Sequence, residues 1–238
     1  MPGDRPAHVL RVMSYNVHDL LDDRAAAARV VRAVGPDVLC LQEVPRRLTT
    51  EVRLPAFARA CGMRRSGGRL GTGGTAVLTG PRVAVHAVTR GRLPVRFPDR
   101  SRGYAGATVS LPDARGGADL AVTVVSVHLG LRADERARHA GALLAELGER
   151  AVVAGDLNEG ADGDAYGLIA RRYELASAGE PTFPADRPAA ALDVIFAATA
   201  LRVLPSTAVV VAEEDLRAGS DHRPVWVDLD LSRSASEG

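Results

Sequence analysis

Asp37-Val38-Leu39-Cys40-Leu41-Gln42-Glu43-Val44 is apolar from Val38 to Leu41 and turns polar at Gln42-Glu43. A short continuous apolar run reads as a strand buried on both faces, and its polar end marks where it leaves the core. Immediately upstream, Gly35-Pro36 stops an Ala- and Arg-rich helix over Ala25–Val34, which Asp22 or Asp23 can cap. Before that helix, His8–Val17 reads as a strand running from Val9 into the polar Ser14-Tyr15-Asn16. Downstream, a helix within Arg46–Cys61 is expected to break near Pro55.

The same alternation continues. Residues 62–118 read as strands joined by Gly-rich turns, at Thr75–Thr79, Val83–Val88 and Tyr104–Leu111. Leu120–Leu129 is a β run that stops at His128. Asp134–Gly148 is the best helix, with Asp134 as its cap and Leu143, Leu144 and Leu147 on one side. Strand Ala151–Ala154 leads into Gly155-Asp156-Leu157-Asn158, and strand Leu192–Ala197 opens on Leu192-Asp193. Val209–Val211 and Val225–Leu231 read as further strands, with Ser220-Asp221-His222 between them. No internal repeat or long linker is visible. Hairpin-like strands mixed with βα units predict mixed sheets in one domain over residues 1–231, followed by a disordered polar tail over 232–238.

Composition narrows the function. The 238 residues are 46% hydrophobic and 25% charged, as in an ordinary globular protein. A net charge of +1 excludes a uniformly basic nucleic-acid coat. All 30 basic residues are Arg, which excludes a lysine Schiff base and a P-loop lysine. Two cysteines, Cys40 and Cys61, cannot build a disulfide framework or a Cys-rich zinc site, and Cys40 reads as a buried inert thiol. Met1-Pro2-Gly3-Asp4-Arg5-Pro6 has no apolar leader core, and no stretch reaches 18 uncharged apolar residues. A cytoplasmic monomer without stable membrane insertion is expected.

The strands end in residues that do chemistry: Asn16, Glu43, His128, Asp156 with Asn158, Asp193, and Asp221 with His222. Strand ends on one sheet edge can converge on one site. Glu43 and Asp221, helped by the amide oxygen of Asn16, suit a hard cation such as Mg²⁺. Asp156, Asn158, His128 and His222 can supply a base for water and donors for phosphoryl oxygens. Asp193 stands in an apolar strand, so its carboxylate needs a partner. No His-x-x-x-His or His-Glu-x-x-His spacing occurs, which disfavours a zinc hydrolase.

Seven stretches in this order resemble the endonuclease/exonuclease/phosphatase superfamily. That group includes pancreatic-type deoxyribonucleases, abasic-site endonucleases, neutral sphingomyelinases and inositol polyphosphate 5-phosphatases. The stretches are Met13–Val17, Pro36–Val44, Gly73–Leu78, Val125–Leu129, Val153–Asn158, Leu192–Phe196 and Gly219–Val225. The resemblance implies an α+β fold, a four-layer α/β/β/α sandwich of two mixed β-sheets flanked by helices. It implies Glu43 as principal metal ligand with Asn16 and Asp221, for Mg²⁺ with Mn²⁺ as a substitute. It implies Asp156 as the residue that orients and deprotonates water, Asn158 and His128 as phosphate donors, and His222 held by Asp193 against the scissile phosphate. Arg102 falls where many members carry an Arg, and a phosphate contact is expected of it. His139 stands where a Gln is common and reads as structural; His18 reads as a turn residue.

The substrate class is less constrained. Between Arg59 and Arg102, ten arginines face the single acid Asp99, a segment that attracts polyanions. Aromatic residues are only 4% of the chain, so a stacking platform has thin support. The expected activity is metal-dependent hydrolysis of phosphodiesters, with nucleic acid favoured. A phosphatase or a lipid phosphodiesterase of inositol phosphate or sphingomyelin type uses the same residues, and a non-catalytic phosphate-binding module is the rival from another class.

Overall fold

The uninterrupted apolar run at Val38–Leu41 is explained by its position between two layers. A computed structural model describes residues 5–45, 50–67, 71–111, 120–205 and 209–232. In it, strands β1 (Val9–Asn16) and β2 (Val38–Gln42) send alternate side chains to opposite cores. Leu10, Val12, Val38 and Cys40 pack against the second sheet, while Met13, Tyr15, Leu39 and Leu41 pack under helices. A strand with a core on each face has no polar side, so period-two alternation disappears from its sequence.

The helices over that outer face are α1 (Arg24–Val34) and α2 (Thr50–Ala60). Asp23 caps α1, accepting from the Ala25 and Ala26 amides at 2.8 and 3.1 Å. Gly35 ends it in the left-handed region at φ 60°, the conformation glycine adopts without a Cβ penalty. The expected break at Pro55 does not occur, because Pro55 lies inside α2. Leu54, Phe57 and Ala58 are buried on the first sheet, and this burial outweighs the one hydrogen bond proline forgoes.

Strands β3 (Arg64–Gly67), β4 (Ala76–Thr79), β11 (Arg202–Leu204) and β12 (Val225–Asp230) complete the first sheet, in the order β11-β12-β1-β2-β4-β3. The second sheet holds β5 (Ala84–Leu93), β6 (Arg102–Ser110), β7 (Val122–His128), β8 (Ala151–Asp156), β9 (Glu174–Leu175) and β10 (Asp193–Ala197), in the order β5-β6-β7-β8-β10-β9. Each sheet is antiparallel except for one central parallel pair, β1 with β2 and β7 with β8. Helix α1 crosses over the first pair and α3 (Ala133–Glu146) over the second. The topology is therefore repeated although no sequence repeat is visible. Helices α3 and α4 (Asp164–Ala170) cover the second sheet, and α5 (Glu213–Gly219) packs beside α1. The result is the expected four-layer sandwich.

Two further expectations need correction. Arg132, not Asp134, holds the N-cap position of α3, and it makes no side-chain capping bond. Asp134 sits in the first turn, where its charge suits the helix dipole and pairs with Arg96 at 2.6 Å. Val209–Val211 forms no strand; Val210 is 91% exposed ahead of α5. Residues 233–238 of the expected disordered tail lie outside the described residues. Among the described residues, no helix is long and apolar enough to cross a membrane.

One buried ion pair ties β1 to β12. Arg11 donates from Nε and Nη2 to the two carboxylate oxygens of its cross-strand partner Asp228, at 2.7 and 2.6 Å. Its Nη1 donates to the Val34 carbonyl at the end of α1 at 2.8 Å. Both partners are nearly inaccessible. Removing one takes a two-point, charge-assisted contact from a buried partner. Asp228→Ala is expected to destabilise the fold by about 3–5 kcal/mol in denaturant unfolding. A loss below about 1 kcal/mol would show that the pair is not holding this edge.

Candidate functional site

Parallel strands bring their C-terminal ends to the same edge. β1 ends there with Asn16 and β2 leads there into Glu43, and β7 and β8 end there with His128 and Asp156. β10 and β12 run the other way, so their first residues, Asp193 and the preceding Asp221-His222, reach the same edge. Asp156 is the meeting point. Its Oδ2 accepts from Asn16 Nδ2 of the opposite sheet at 3.0 Å, and lies 3.4 Å from His128 Nε2 and 3.9 Å from His222 Nε2. Its Oδ1 accepts the Asn158 amide at 2.8 Å.

Asp193 has the partner that burial demands. His222 Nδ1 donates to Asp193 Oδ2 at 2.7 Å, and Thr182 Oγ1 donates to the same oxygen at 2.6 Å. Phe183 packs against the His222 ring at 4.8 Å between centroids. Ser220 accepts the His222 amide at 3.3 Å and donates to the Asn16 carbonyl at 2.7 Å. Sequence reading missed Thr182, Phe183 and Ser220. Ser220 alone carried a signal, its place beside Asp221-His222.

Electrostatics follow from this packing. Burial, then the neighbouring Asp193 charge, raises the Asp156 carboxyl to about 7, against the opposing pull of His222 and the Asn158 and Asn16 donors. Burial works to lower the His222 imidazole. The hydrogen bond and charge of Asp193, with Asp156 and Asp221 behind, outweigh it and raise His222 to about 9.

Glu43 and Asp221 lie at the mouth. Glu43 Oε1 is 4.0 Å from His128 Nε2, and its Oε2 is 3.9 Å from Arg100 Nη1. Asp221 Oδ1 is 4.0 Å from His18 Nδ1, and the His18 amide donates to Asn16 Oδ1 at 3.1 Å. His18 thus reaches both Asp221 and Asn16, though its ring bonds to Asp22 at 2.9 Å, and it belongs to the rim as well as to its turn. Arg102 is 5% exposed; its Nε donates to the Leu129 carbonyl at 2.8 Å, and its buried Nη1 has no hydrogen-bond partner among the described residues. Asn158 Nδ2 donates to that same carbonyl at 3.0 Å. Gly73 makes the approach possible: at φ 63°, a Cβ there would stand 2.1 Å from the Arg102 carbonyl carbon. All nine expected site residues therefore gather at one edge.

Two groupings offer a cation donors. Asp156, Asp193 and His222 present ligand atoms within 4.8 Å of one another. Their imidazole Nδ1 and one Asp193 oxygen are already committed to each other. Glu43, Asp221 and Asn16 offer oxygen donors at the open mouth, the chemistry a hard divalent ion prefers.

The basic segment does not remain one patch. Arg64 donates to the Val83 carbonyl, Arg65 pairs with Glu51, and Arg82 reaches Asp37. Arg96 is held by Glu135 and Asp134, and Arg100 by Asp19. Only Arg100 and Arg102 of these touch the site, and Arg69 lies outside the described residues.

Residues 13–222 match the model of the Endonuclease/Exonuclease/phosphatase family. No curated protein matches the chain. A solved endonuclease/exonuclease/phosphatase from Beutenbergia cavernae DSM 12333 superposes with a TM-score of 0.74 at 22% identity, covering 94% of this chain and 72% of that one. A Bacteroides vulgatus endonuclease/exonuclease/phosphatase gives 0.72 at 18% identity, covering 94% and 99%. ANGEL2, a 2′,3′-cyclic phosphatase solved with adenosine-2′,3′-vanadate, gives 0.68 at 17% identity, covering 93% and 95%. The chain belongs to the endonuclease/exonuclease/phosphatase family, whose members are divalent-metal-dependent phosphoester hydrolases.

His139 stands behind the site. The Gly130 amide donates to its Nδ1 at 3.2 Å, and its Nε2 donates to the Pro94 carbonyl at 2.6 Å. Both nitrogens are used in the neutral form, and burial lowers the imidazole below its usual range. The unfolded chain therefore binds the proton first, and stability falls as pH drops below the unfolded value of about 6.5. Between pH 7.5 and 5.5 the parent protein should lose more melting temperature than His139→Gln. Equal losses would contradict the neutral assignment.

Proposed function

We propose that the chain hydrolyses phosphodiester bonds of nucleic acid with Mg²⁺, for which Mn²⁺ can substitute. The observation that carries this reading is the convergence on Asp156 of Asn16, Asn158, His128 and His222, with Asp193 behind His222. Glu43 with Asn16 Oδ1 and Asp221 would hold the ion. When bound, it supplies Lewis-acid charge at a phosphoryl oxygen.

The protein's own residues do the remaining work. Asp156 orients a water molecule and takes its proton; a carboxyl raised to about 7 is a stronger base than a free one. Asn158 commits one amide proton to the Leu129 carbonyl and keeps the other for a phosphoryl oxygen. His128 donates to the phosphate. His222, charged beside Asp193, faces the scissile group with Nε2 and offsets charge as the phosphorus becomes five-coordinate. Arg102 Nη1, buried and without a hydrogen-bond partner among the described residues, offers a further cation to the anion.

The reading predicts Mg²⁺-dependent nicking of plasmid that EDTA abolishes. Asp156→Ala or His222→Ala should each lower the rate by about 10²–10⁴. Calorimetric titration should show Mg²⁺ binding that Glu43→Ala removes. Nicking unchanged by Asp156→Ala would end the assignment. Activity confined to inositol phosphates, sphingomyelin or phosphomonoesters would favour the phosphatase or lipid reading of the same residues. Mg²⁺ binding without turnover on any of these substrates would favour a non-catalytic module.

A further inference from the structure

The loop joining β5 to β6 forms one wall of the cleft. Its Arg100 donates to Asp19 at 2.6 Å and stands 3.9 Å from Glu43, and Arg102 follows at the start of β6. The loop is pinned along its length. His139 Nε2 donates to the Pro94 carbonyl, and the Arg96 amide and Nε both donate to the buried Glu135 at 2.9 and 3.0 Å. Arg132, three residues beyond Leu129, donates to Asp99 at 2.9 Å. The Asp99 amide closes a tight turn on the Arg96 carbonyl at 3.0 Å.

At the tip of this turn Phe97 is 96% exposed. It is one of only four phenylalanines in the chain. Its ring is not buried in the fold, and the bonds of Pro94 to His139 and of Arg96 to the buried Glu135 hold the segment that leads into its turn. An exposed ring three residues before Arg100, which stands 3.9 Å from Glu43, is placed to meet a flat apolar partner that arrives with a phosphate. A nucleobase meets that need, since stacking on a ring face adds binding without sequence preference. A bilayer fits less well: the turn that carries the ring is laced by the ion pairs Arg96–Asp134 and Arg132–Asp99, which would have to leave water with it.

We propose that Phe97 stacks on a base of a single-stranded substrate adjacent to the phosphate held in the cleft. This deepens the nuclease reading and rests on it for the identity of the cleft. Low aromatic content hid the feature in the sequence, because one ring suffices when its loop is rigid.

The test is binding by fluorescence anisotropy in EDTA, so that no cleavage is required. The probes are end-labelled octathymidylate and the same phosphodiester backbone carrying abasic tetrahydrofuran residues. Phe97→Ala should weaken octathymidylate binding about 5- to 100-fold, the loss of one base stack, and leave the abasic strand within about twofold. Phe97→Tyr should restore binding. Equal effects on both strands, no effect on either, or loss only of sedimentation with phosphatidylcholine vesicles would overturn the proposal. A strand bound through Phe97 but never cut with Mg²⁺ would keep the stacking role and remove the nuclease reading. A strand cut with Mg²⁺ whose binding ignores Phe97→Ala would do the reverse.

Discussion

An amide from one sheet donating to a carboxylate of the other, Asn16 to Asp156 at 3.0 Å, is the contact on which the site depends. It exists only if both sheets end at the same height and in the correct register. Beneath it, Gln42 Nε2 donates to Ser126 Oγ at 2.9 Å, Ser126 Oγ to the Leu41 carbonyl at 2.8 Å, and Ser14 Oγ to Gln42 at 3.3 Å. These buried polar groups satisfy one another across the gap between sheets, so the seam has few alternative arrangements of low energy. A slip of one residue in β1 would move Leu10 and Val12 out of the central core and break the seam.

What the sequence disclosed follows from this layering. Strands buried on both faces, such as Val38–Leu41 and Val122–His128, advertise themselves by apolar continuity, and their polar ends stand out against it. Strand ends were legible for that reason, and with them the polar residues that gather at one edge. Features decided by partners elsewhere were not. Pro55 argued for a break because propensity is local, whereas the burial of Leu54 and Phe57 is tertiary. Val209–Val211 had β-branched composition but lies ahead of α5 with no strand to pair with among the described residues. Gln42 and Ser126 are ordinary polar residues until the second sheet is placed over the first. The repeated topology was invisible because packing constrains residue type loosely while it constrains geometry strictly.

Asp193 shows how far one physical constraint can be read. A carboxylate opening an apolar strand had to have a partner, and His222 is that partner across 29 positions of sequence. The constraint did not disclose the second donor. Thr182 needs only a hydroxyl at the right place, and a threonine before an aromatic residue carries no mark of it. Yet Thr182 fixes the oxygen that His222 uses, so the imidazole's direction is set in part by a buried hydroxyl.

Backbone geometry completes the division of labour. Glu43 and Asn158 both adopt left-handed backbone, at φ 50° and 53°, one residue beyond β2 and two beyond β8. Non-glycine residues rarely hold such conformations unless surrounding contacts over-determine them. Here the Asn158 amide bonds to Asp156, and the Glu43 carbonyl accepts the Asp19 amide at 2.6 Å. The chemical groups thus stand on rigid strand ends whose turns are fixed by the site itself. The rim is held differently, by exposed pairs such as Arg132 with Asp99 and Arg100 with Asp19, each worth about 0–1 kcal/mol. Rim contacts of that size can be exchanged without disturbing the Asp156 cluster. A change of side chain on the loop that carries Phe97 would therefore leave the Asp156 cluster below it in place.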